Sequence, residues 1–406
     1  MTTAAETRQA MANSWQTEVL DTGMIQDELN KLWNQLGGPR HGGQQTGEMV
    51  AEERFGGGTL MRANTLNLLA VADTEQDIQL IQETIRGLTD FQPSRTIILI
   101  ARPPTDGQDD SHSPFDVRVE LLEKQTAKGE PVVRFEVVTI QSDAGASGQL
   151  TSLVSPLLVA ELPDFLWWPS GSFRRDPLFE DLVHLVDRLI VDSAQLGRDG
   201  SGIHMLQSLL SDEPGAPRVG DFTWRRLGPW RQLIAQFFDA PAVQPCLDTI
   251  EQVSIAYADV RRDGSSGFPA ALLTVGWLAS RLGWEILDPL ERRRNGGWWA
   301  PLRASRGDRG REIELRLTPD TSPHAVFSLR SVRLVAGGEA PGNFQIERTD
   351  SDDLITSSES PSLPLVSRMV YARRPTNEAM LGAELQRFGA DSIFEDALKV
   401  AARLLP

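Results

Sequence analysis

The sequence predicts an α/β N-terminal domain with a mostly parallel sheet, followed by an α+β domain with helices packed on an antiparallel sheet. Two patterns carry this. The apolar runs LNLLAVA, TIILIA and RLIV alternate with helix-period segments as far as about residue 195, as strands buried on both faces between crossover helices do. Farther on, alternating runs such as REIELRL follow a group of helical segments, the mark of a sheet with one face toward water. The chain's 406 residues are enough for two or three domains. A hydrophobic content of 40% with 24% charged residues excludes a fully disordered chain.

The chain opens with an amphipathic helix carrying Ile25, Leu29, Leu32 and Leu36 on one stripe, ended by Gly37, Gly38 and Pro39. Alone it would be marginal in water. The stripe is therefore expected to dock on the main body of the chain, with a partner as the alternative surface. A polar, glycine-rich stretch follows, making 1–58 an N-terminal helix and flexible linker.

The α/β domain is expected over 59–195. LNLLAVA reads as a strand, Asp73 or Thr74 as the cap of a helix presenting Ile78, Ile81, Ile85 and Leu88, and TIILIA as a second strand of a β-α-β unit. Two strands, about Phe115–Leu122 and Val132–Ile140, flank the turn-like KQTAKGEP and suit antiparallel pairing. A short helix over Leu150–Ala160 broken near Pro156, the strand DFLWWP, a helix near Leu178–Leu185 and the strand RLIVDS complete it.

The α+β domain is expected over 196–406. It starts with helical GIHMLQSLLSD and PWRQLIAQFFD, where Pro229 suits a first turn and Trp230, Leu233, Ile234 and Phe237 form a face. PAALLTVGWLASRL is apolar nearly all round and closes at Gly283, so it reads as a buried central helix, with Gly276 marking a close approach. Ile313, Leu315 and Leu317 alternate with Glu312, Glu314 and Arg316, and HAVFSLRSVRLV, NFQIER and LVSRMVYA extend an antiparallel meander. Two helices end the chain; Ser392 and Glu395 form a capping-box pattern, and Phe394, Leu398, Ala401 and Leu405 a buried stripe.

Charge and composition remove several function classes. With 40 Lys+Arg against 56 Asp+Glu the net charge is −16, which opposes nucleic-acid binding, since phosphate contact needs a clustered basic surface. No apolar stretch reaches membrane-span length and the N-terminal segment has no apolar signal core, so no membrane association and a cytoplasmic location are expected. Cys246 is the only cysteine, and the five histidines, His41, His112, His184, His204 and His324, never fall at helical ligand spacing; no metal or other cofactor is expected. No dinucleotide fingerprint, P-loop, nucleophile elbow or zincin motif occurs, and Gly56–Gly58 precedes its strand, the wrong side for a phosphate cradle. No catalytic residue is assigned.

Three places hold chemistry worth locating. The loop LWWPSGSFRRD leaves the carboxyl end of a predicted strand, where open α/β sheets bind ligands. Ser170, Gly171 and Ser172 offer donors there, and Arg174 and Arg175 suit a phosphate or carboxylate such as that of a phosphorylated sugar; a capped turn with solvated arginines is the plainer reading. The pairs Trp167–Trp168 and Trp298–Trp299 sit in predicted strands, so one ring of each pair must find cover from another domain or another protein. In DFTWRRLGPWR, Trp224 and Trp230 bracket Arg225, Arg226 and Arg231, mixing interface anchors with bidentate donors, against the alternative of a solvated helix face. Asp187 and Asp192 flanking LIV read as polar strand ends before acid–base groups, and ERRR at 291–294 as a solvated turn.

RANTLNLLAV, ELPDFLWWPSGSF, DRLIVDS, DFTWRRLGPWRQLIAQFFD and WLASRLGW, in this order, resemble the OpcA family of glucose-6-phosphate dehydrogenase assembly proteins, from about Met61 to the C-terminus. The resemblance implies a non-catalytic partner that binds glucose-6-phosphate dehydrogenase, promotes its active oligomer and raises its activity in the oxidative pentose phosphate pathway, a source of NADPH. It implies thioredoxin-linked redox control in some members. With Cys246 alone, no dithiol switch can form within this chain, so such control would need a mixed disulfide, a modified Cys246 or cysteines of the dehydrogenase. The expected contact residues are Trp167, Trp168, Phe173, Arg174, Arg175, Trp224, Arg225, Arg226, Trp230, Arg231, Trp298 and Trp299. The rivals are an α/β enzyme or sensor of a phosphorylated sugar at Ser170–Arg175, and a purely structural subunit.

Overall fold

The seven residues of strand β2 (Leu66–Ala72) are all buried, as a strand covered on both faces must be. The computed structural model describes residues 14–17, 21–37, 64–88, 93–101, 115–123, 134–142, 147–170, 177–197, 199–210, 215–259, 266–294, 296–305, 310–322, 329–361 and 363–406. The expected linker up to Gly58, the KQTAKGEP turn and the loop from Gly171 to Arg175 lie outside them. The chain divides into two compact units, Met1–Trp168 with Arg175–Asp187, and Pro169–Arg174 with Arg188–Pro406.

In the first unit β2 pairs in parallel with β3 (Ser94–Ala101) and β6 (Asp164–Trp168). β3 in turn pairs in parallel with β5 (Arg134–Ser142). β4 (Phe115–Glu123) runs antiparallel to β5, as expected, and β1 (Ser14–Thr17) antiparallel to β4. The order is β1-β4-β5-β3-β2-β6, a parallel core with an antiparallel edge. β1 is too short to show a sequence period; its pairing with β4 is what makes it a strand.

Helix α1 (Thr22–Gly37) buries Ile25, Leu29 and Leu32 within this unit. Its polar atoms reach inward as well. Trp33 Nε1 donates to Glu136 Oε1 at 2.8 Å, and Arg95 Nε donates to Glu136 Oε2 at 2.7 Å. Arg95 Nη1 also donates to Gln26 Oε1 and to the Leu157 carbonyl. The docking surface is thus the chain itself, and α1 completes the bonding of a buried ion pair. Helix α2 (Glu75–Gly87) is capped by Thr74 and not Asp73: Thr74 Oγ1 accepts from Asp77 N, and Asp77 Oδ2 accepts from Thr74 N, a reciprocal box. Helix α3 (Ser147–Val154) runs into a 3₁₀ turn at Pro156, and helix α4 (Pro177–Val183) packs beside it.

In the second unit β7 (Arg188–Val191) and β8 (Arg218–Asp221) form a parallel pair. Helix α5 (Ser201–Leu209) lies between them in sequence, and α6 (Phe222–Arg226) and α7 (Gly228–Gln236) follow β8. A mostly antiparallel sheet then assembles from β9 (Ile250–Ala258), β10 (Trp284–Ile286), β11 (Glu291–Arg292), β12 (Trp298–Ala304) and β13 (Glu312–Asp320). β14 (Leu329–Ala336), β15 (Gly342–Arg348), β16 (Leu354–Ser360) and β17 (Leu363–Val370) extend it. Its order is β10-β12-β13-β9-β14-β15-β16-β17, with β11 on β12 and a single parallel pair, β13 with β9. Ile313, Leu315 and Leu317 face inward as their alternation requires. β16 (LITSSES) is largely polar and carries no clean signal in the sequence, whereas Val253, Ile255 and Tyr257 alternate inward along β9.

Helix α8 (Phe268–Leu282) is buried along most of its length and ends at Gly283 in the left-handed region, φ +68°. Gly276 allows the close approach of helix α10 (Ser392–Leu404): a Cβ there would stand 2.1 Å from the Ala397 carbonyl oxygen. Helix α9 (Asn377–Leu385) precedes α10. The cap of α10 is Asp391 and not Ser392, because the Asp391 carboxylate accepts from Phe394 N.

Candidate functional site

Charged side chains of the second unit gather in two clusters, one at the carboxyl ends of β7 and β8 and one where helix α6, Arg188 at the start of β7, helix α9 and the α9–α10 connection come together. At the strand ends stand Asp192 and Asp221, both buried. Asp221 accepts from Ser193 N and Ser193 Oγ, each at 2.8 Å, and from Thr223 N at 3.0 Å. Asp192 accepts from Thr223 Oγ1 at 2.9 Å and takes a two-pronged pair from Arg226, Nη1 to Oδ1 at 2.8 Å and Nη2 to Oδ2 at 2.6 Å. Burial pushes the Asp192 carboxyl up, but the Arg226 charge and these hydrogen bonds outweigh it and hold the group below the usual carboxylate range. Asp221 accepts only from Ser193 and Thr223 in the bonds named and has no direct guanidinium pair among them. Burial, with Asp192 beside it, pushes its pKa up to about 7.

Around α6 a second cluster forms. Glu384, buried on α9, takes Arg188 Nη1 on Oε2 at 3.1 Å and Arg225 Nε on Oε1 at 2.5 Å. Gly220 leaves the room: a Cβ there would meet Glu384 Oε2 at 2.4 Å. Asp391 accepts from Trp224 Nε1 at 3.1 Å and pairs with Arg387 at 2.6 Å while capping α10. The Arg231 guanidinium carbon lies 3.2 Å from the centroid of the Trp224 ring, a stacked cation–π contact.

The predicted residues thus part company. Trp224, Arg225, Arg226 and Arg231 take part in the two charge clusters, while Trp230 has Arg348 5.5 Å from its ring centroid; all serve as an internal frame, the tryptophans being 3% and 0% exposed. The solvated helix face expected as the alternative is not what forms either, since Arg225 and Arg226 each hold a buried carboxylate. Trp167 and Trp168 are 1% and 2% exposed. Both lie inside because β6 is covered on both faces, so the cover that adjacent strand positions require comes from the fold, with Phe179 edge-on to Trp168 at 5.3 Å.

Trp298 and Trp299 on β12 remain partly exposed. Trp298 stacks on Phe268 at 5.4 Å, and Arg292 and Arg293 lie 5.8 Å and 4.3 Å from the Trp298 and Trp299 ring centroids. The ERRR segment is exposed as expected, yet Glu291–Arg292 is strand β11. Asp187 is a polar strand end, its Oδ2 accepting from Asp164 N. Ser170 is buried, and Gly171, Ser172, Phe173, Arg174 and Arg175 lie outside the described residues. Cys246 is buried in a 3₁₀ turn, and burial pushes its thiol pKa up, away from the activated state of a reactive cysteine.

Arg188, Glu384, Arg387 and Asp391 belong to the cluster around α6 although no motif in the sequence marks them. One signal for Glu384 was present: it falls three and four positions after Leu381 and Met380, on the apolar face of its helix. Its partners lie 159 and 196 residues away, beyond any local pattern. Chemically the arrangement positions charges. The oxygens of Asp192 and Asp221 are engaged by protein donors, and both residues are buried.

Comparison with known proteins supplies the identity. A family profile described as the glucose-6-phosphate dehydrogenase subunit N-terminal domain matches residues 87–208, and one described as the C-terminal domain of the same subunit matches 217–398. Three curated relatives named OxPP cycle protein OpcA align with the chain. The Nostoc punctiforme protein is 29% identical over 75% of this chain and 64% of its own length. The proteins of Synechococcus elongatus and Synechocystis are 27% and 26% identical, over 68% and 66% of this chain and 61% and 56% of their own. The chain therefore matches less than two thirds of the length of these relatives. Among solved structures, the transcriptional regulator Gal80p of Kluyveromyces lactis covers 83% of this chain and 87% of its own at 10% identity and a TM-score of 0.45. On the two subunit domains, matched in order over most of its length, the chain belongs to the OpcA family of glucose-6-phosphate dehydrogenase assembly proteins.

Proposed function

We propose that this chain is a non-catalytic assembly factor and allosteric activator that binds glucose-6-phosphate dehydrogenase and favours its active oligomer, supporting NADPH supply through the oxidative pentose phosphate pathway. The carrying observation is the ordered match of 87–208 and 217–398 to two domains described as a subunit of that dehydrogenase. The chemistry of the second unit supports the same reading, because its buried carboxylates are spent on arginines and backbone donors.

An activator raises activity only by binding the competent state more tightly than the inactive one, a coupling of about 1–3 kcal/mol, or roughly 5–150-fold. Within the expected contact set, Trp298 and Trp299 carry exposed area for a partner, with Arg292 and Arg293 over them. Trp224, Arg225, Arg226, Trp230 and Arg231 hold the α6–α7 frame, and Trp167 and Trp168 the end of β6. Any thioredoxin-linked control acts through the dehydrogenase or requires the turn around Cys246 to open.

The test is a titration of purified dehydrogenase with this chain at several substrate concentrations, with the mass of the mixture measured in parallel. A complex together with a saturable gain in activity is expected. Absence of co-elution at micromolar concentrations, or turnover of a sugar phosphate by this chain alone, overturns the reading.

A further inference from the structure

The second charge cluster is not balanced. Arg225 and Arg387 act on both Arg188 and Arg231, and the carboxylates that act on these two are Glu384 and Asp391, so among the described residues of the cluster guanidinium outnumbers carboxylate in a chain whose net charge is −16. Glu384 is shared by Arg188 and Arg225, and Asp391 is taken by Arg387 and by the Trp224 indole. That leaves Arg231. Its plane is fixed against the Trp224 ring, and its Nη1 is buried with no hydrogen-bond partner among the described residues.

A buried guanidinium nitrogen without an acceptor is costly, and the repulsion of Arg225 and Arg387 adds to the cost. Burial, opposed by Asp391 and reinforced by those neighbours, pushes the Arg231 pKa down to about 10. The cluster is not sealed: the side chains of Arg225 and Arg387 are 22% and 37% exposed. A planar guanidinium held on an indole, beside two further arginines whose side chains are part-exposed, is the kind of group that receives a carboxylate or phosphate two-pronged.

We propose that Arg231, stacked on Trp224 and flanked by Arg225 and Arg387, is a receptor for an oxyanion supplied from outside the chain. Two sources share this chemistry: the phosphate of a small metabolite, and an aspartate or glutamate of the partner polypeptide. The second source rests on the dehydrogenase reading above; the first does not.

The experiment compares the full chain with Arg231→Gln and Arg225→Gln. The second variant leaves Glu384 paired to Arg188 and is expected to fold even if the first does not, which its thermal transition checks. In the phosphate arm, thermal midpoints are read in sodium phosphate and in sodium chloride of equal ionic strength. A metabolite site predicts that phosphate raises the wild-type midpoint by about 2–4 °C at ten times its Kd, and that the gain is lost in the variants. In the partner arm, a carboxylate source predicts no phosphate gain, but at least about a tenfold loss of dehydrogenase affinity in each folded variant. Equal midpoint gains in wild type and variants, or no effect in either arm, overturn the proposal. Failure of the wild-type chain to bind the dehydrogenase removes the functional reading alone, and the phosphate arm then decides the receptor.

Discussion

Asp192 and Asp221 are the same residue type at equivalent strand ends, yet they titrate in opposite directions because Arg226 bonds directly to Asp192 but not to Asp221, which burial and the Asp192 charge push up. An aspartate in the unfolded chain titrates near 3.9. With Asp221 raised to about 7, the folded state holds more protons than the unfolded one between those values. Stability from this group therefore falls as pH climbs from about 4 to 7 and is level above that. Asp192 works the other way, its contribution vanishing as pH drops through its lowered pKa. Asp221→Asn, a mimic of the protonated group, should flatten the decline. Thermal midpoints across pH 4–8 should show the variant gaining on wild type up to about pH 7, by on the order of 1–3 kcal/mol; parallel curves would refute the assignment. For Cys246, burial and a raised pKa predict modification by a thiol reagent at least about tenfold slower in the native than in the denatured chain. Equal rates would restore it as a redox candidate.

At the scale of elements, two glycines offer a matched comparison. Gly276 lies where α8 meets the α10 backbone, whereas Gly228, at the start of α7, has nothing within 4 Å of a built Cβ. Gly276→Ala must push the helices apart and should cost about 1–3 kcal/mol or more in denaturant unfolding, while Gly228→Ala should be neutral or stabilising by up to about 1 kcal/mol. A neutral Gly276→Ala would mean that α10 does not seat as described. Glu384 ties α9 to α6 and β7 through two arginines. Glu384→Gln leaves both without a charge partner and should cost about 3–5 kcal/mol. A loss below about 1 kcal/mol would show the cluster to be solvated.

At the scale of the whole molecule, activation of a partner carries a thermodynamic obligation. If this chain tightens the dehydrogenase's hold on its substrate, the substrate must tighten the complex by the same factor. Binding isotherms with and without saturating substrate should therefore differ by the factor seen in substrate affinity. A substrate-independent affinity accompanied by higher turnover would place the effect on the catalytic step alone. The high net negative charge and the ordered family motifs were both visible in the sequence; the second unit's concentration of guanidinium groups was not, since those arginines are spread from Arg188 to Arg387.

The sequence by itself determined the fold class, the strands buried on both faces, the stripe of α1 and the close contact at Gly276, because period and glycine placement act over a few residues. The family motifs were legible for the same reason. Only the tertiary structure decided that the Trp167–Trp168 pair is enclosed, that β1 and β16 are strands, and that Arg225 and Arg188 converge on Glu384. Those outcomes depend on which distant segment arrives alongside, and a local window carries no information about a neighbour 159 or 196 residues away.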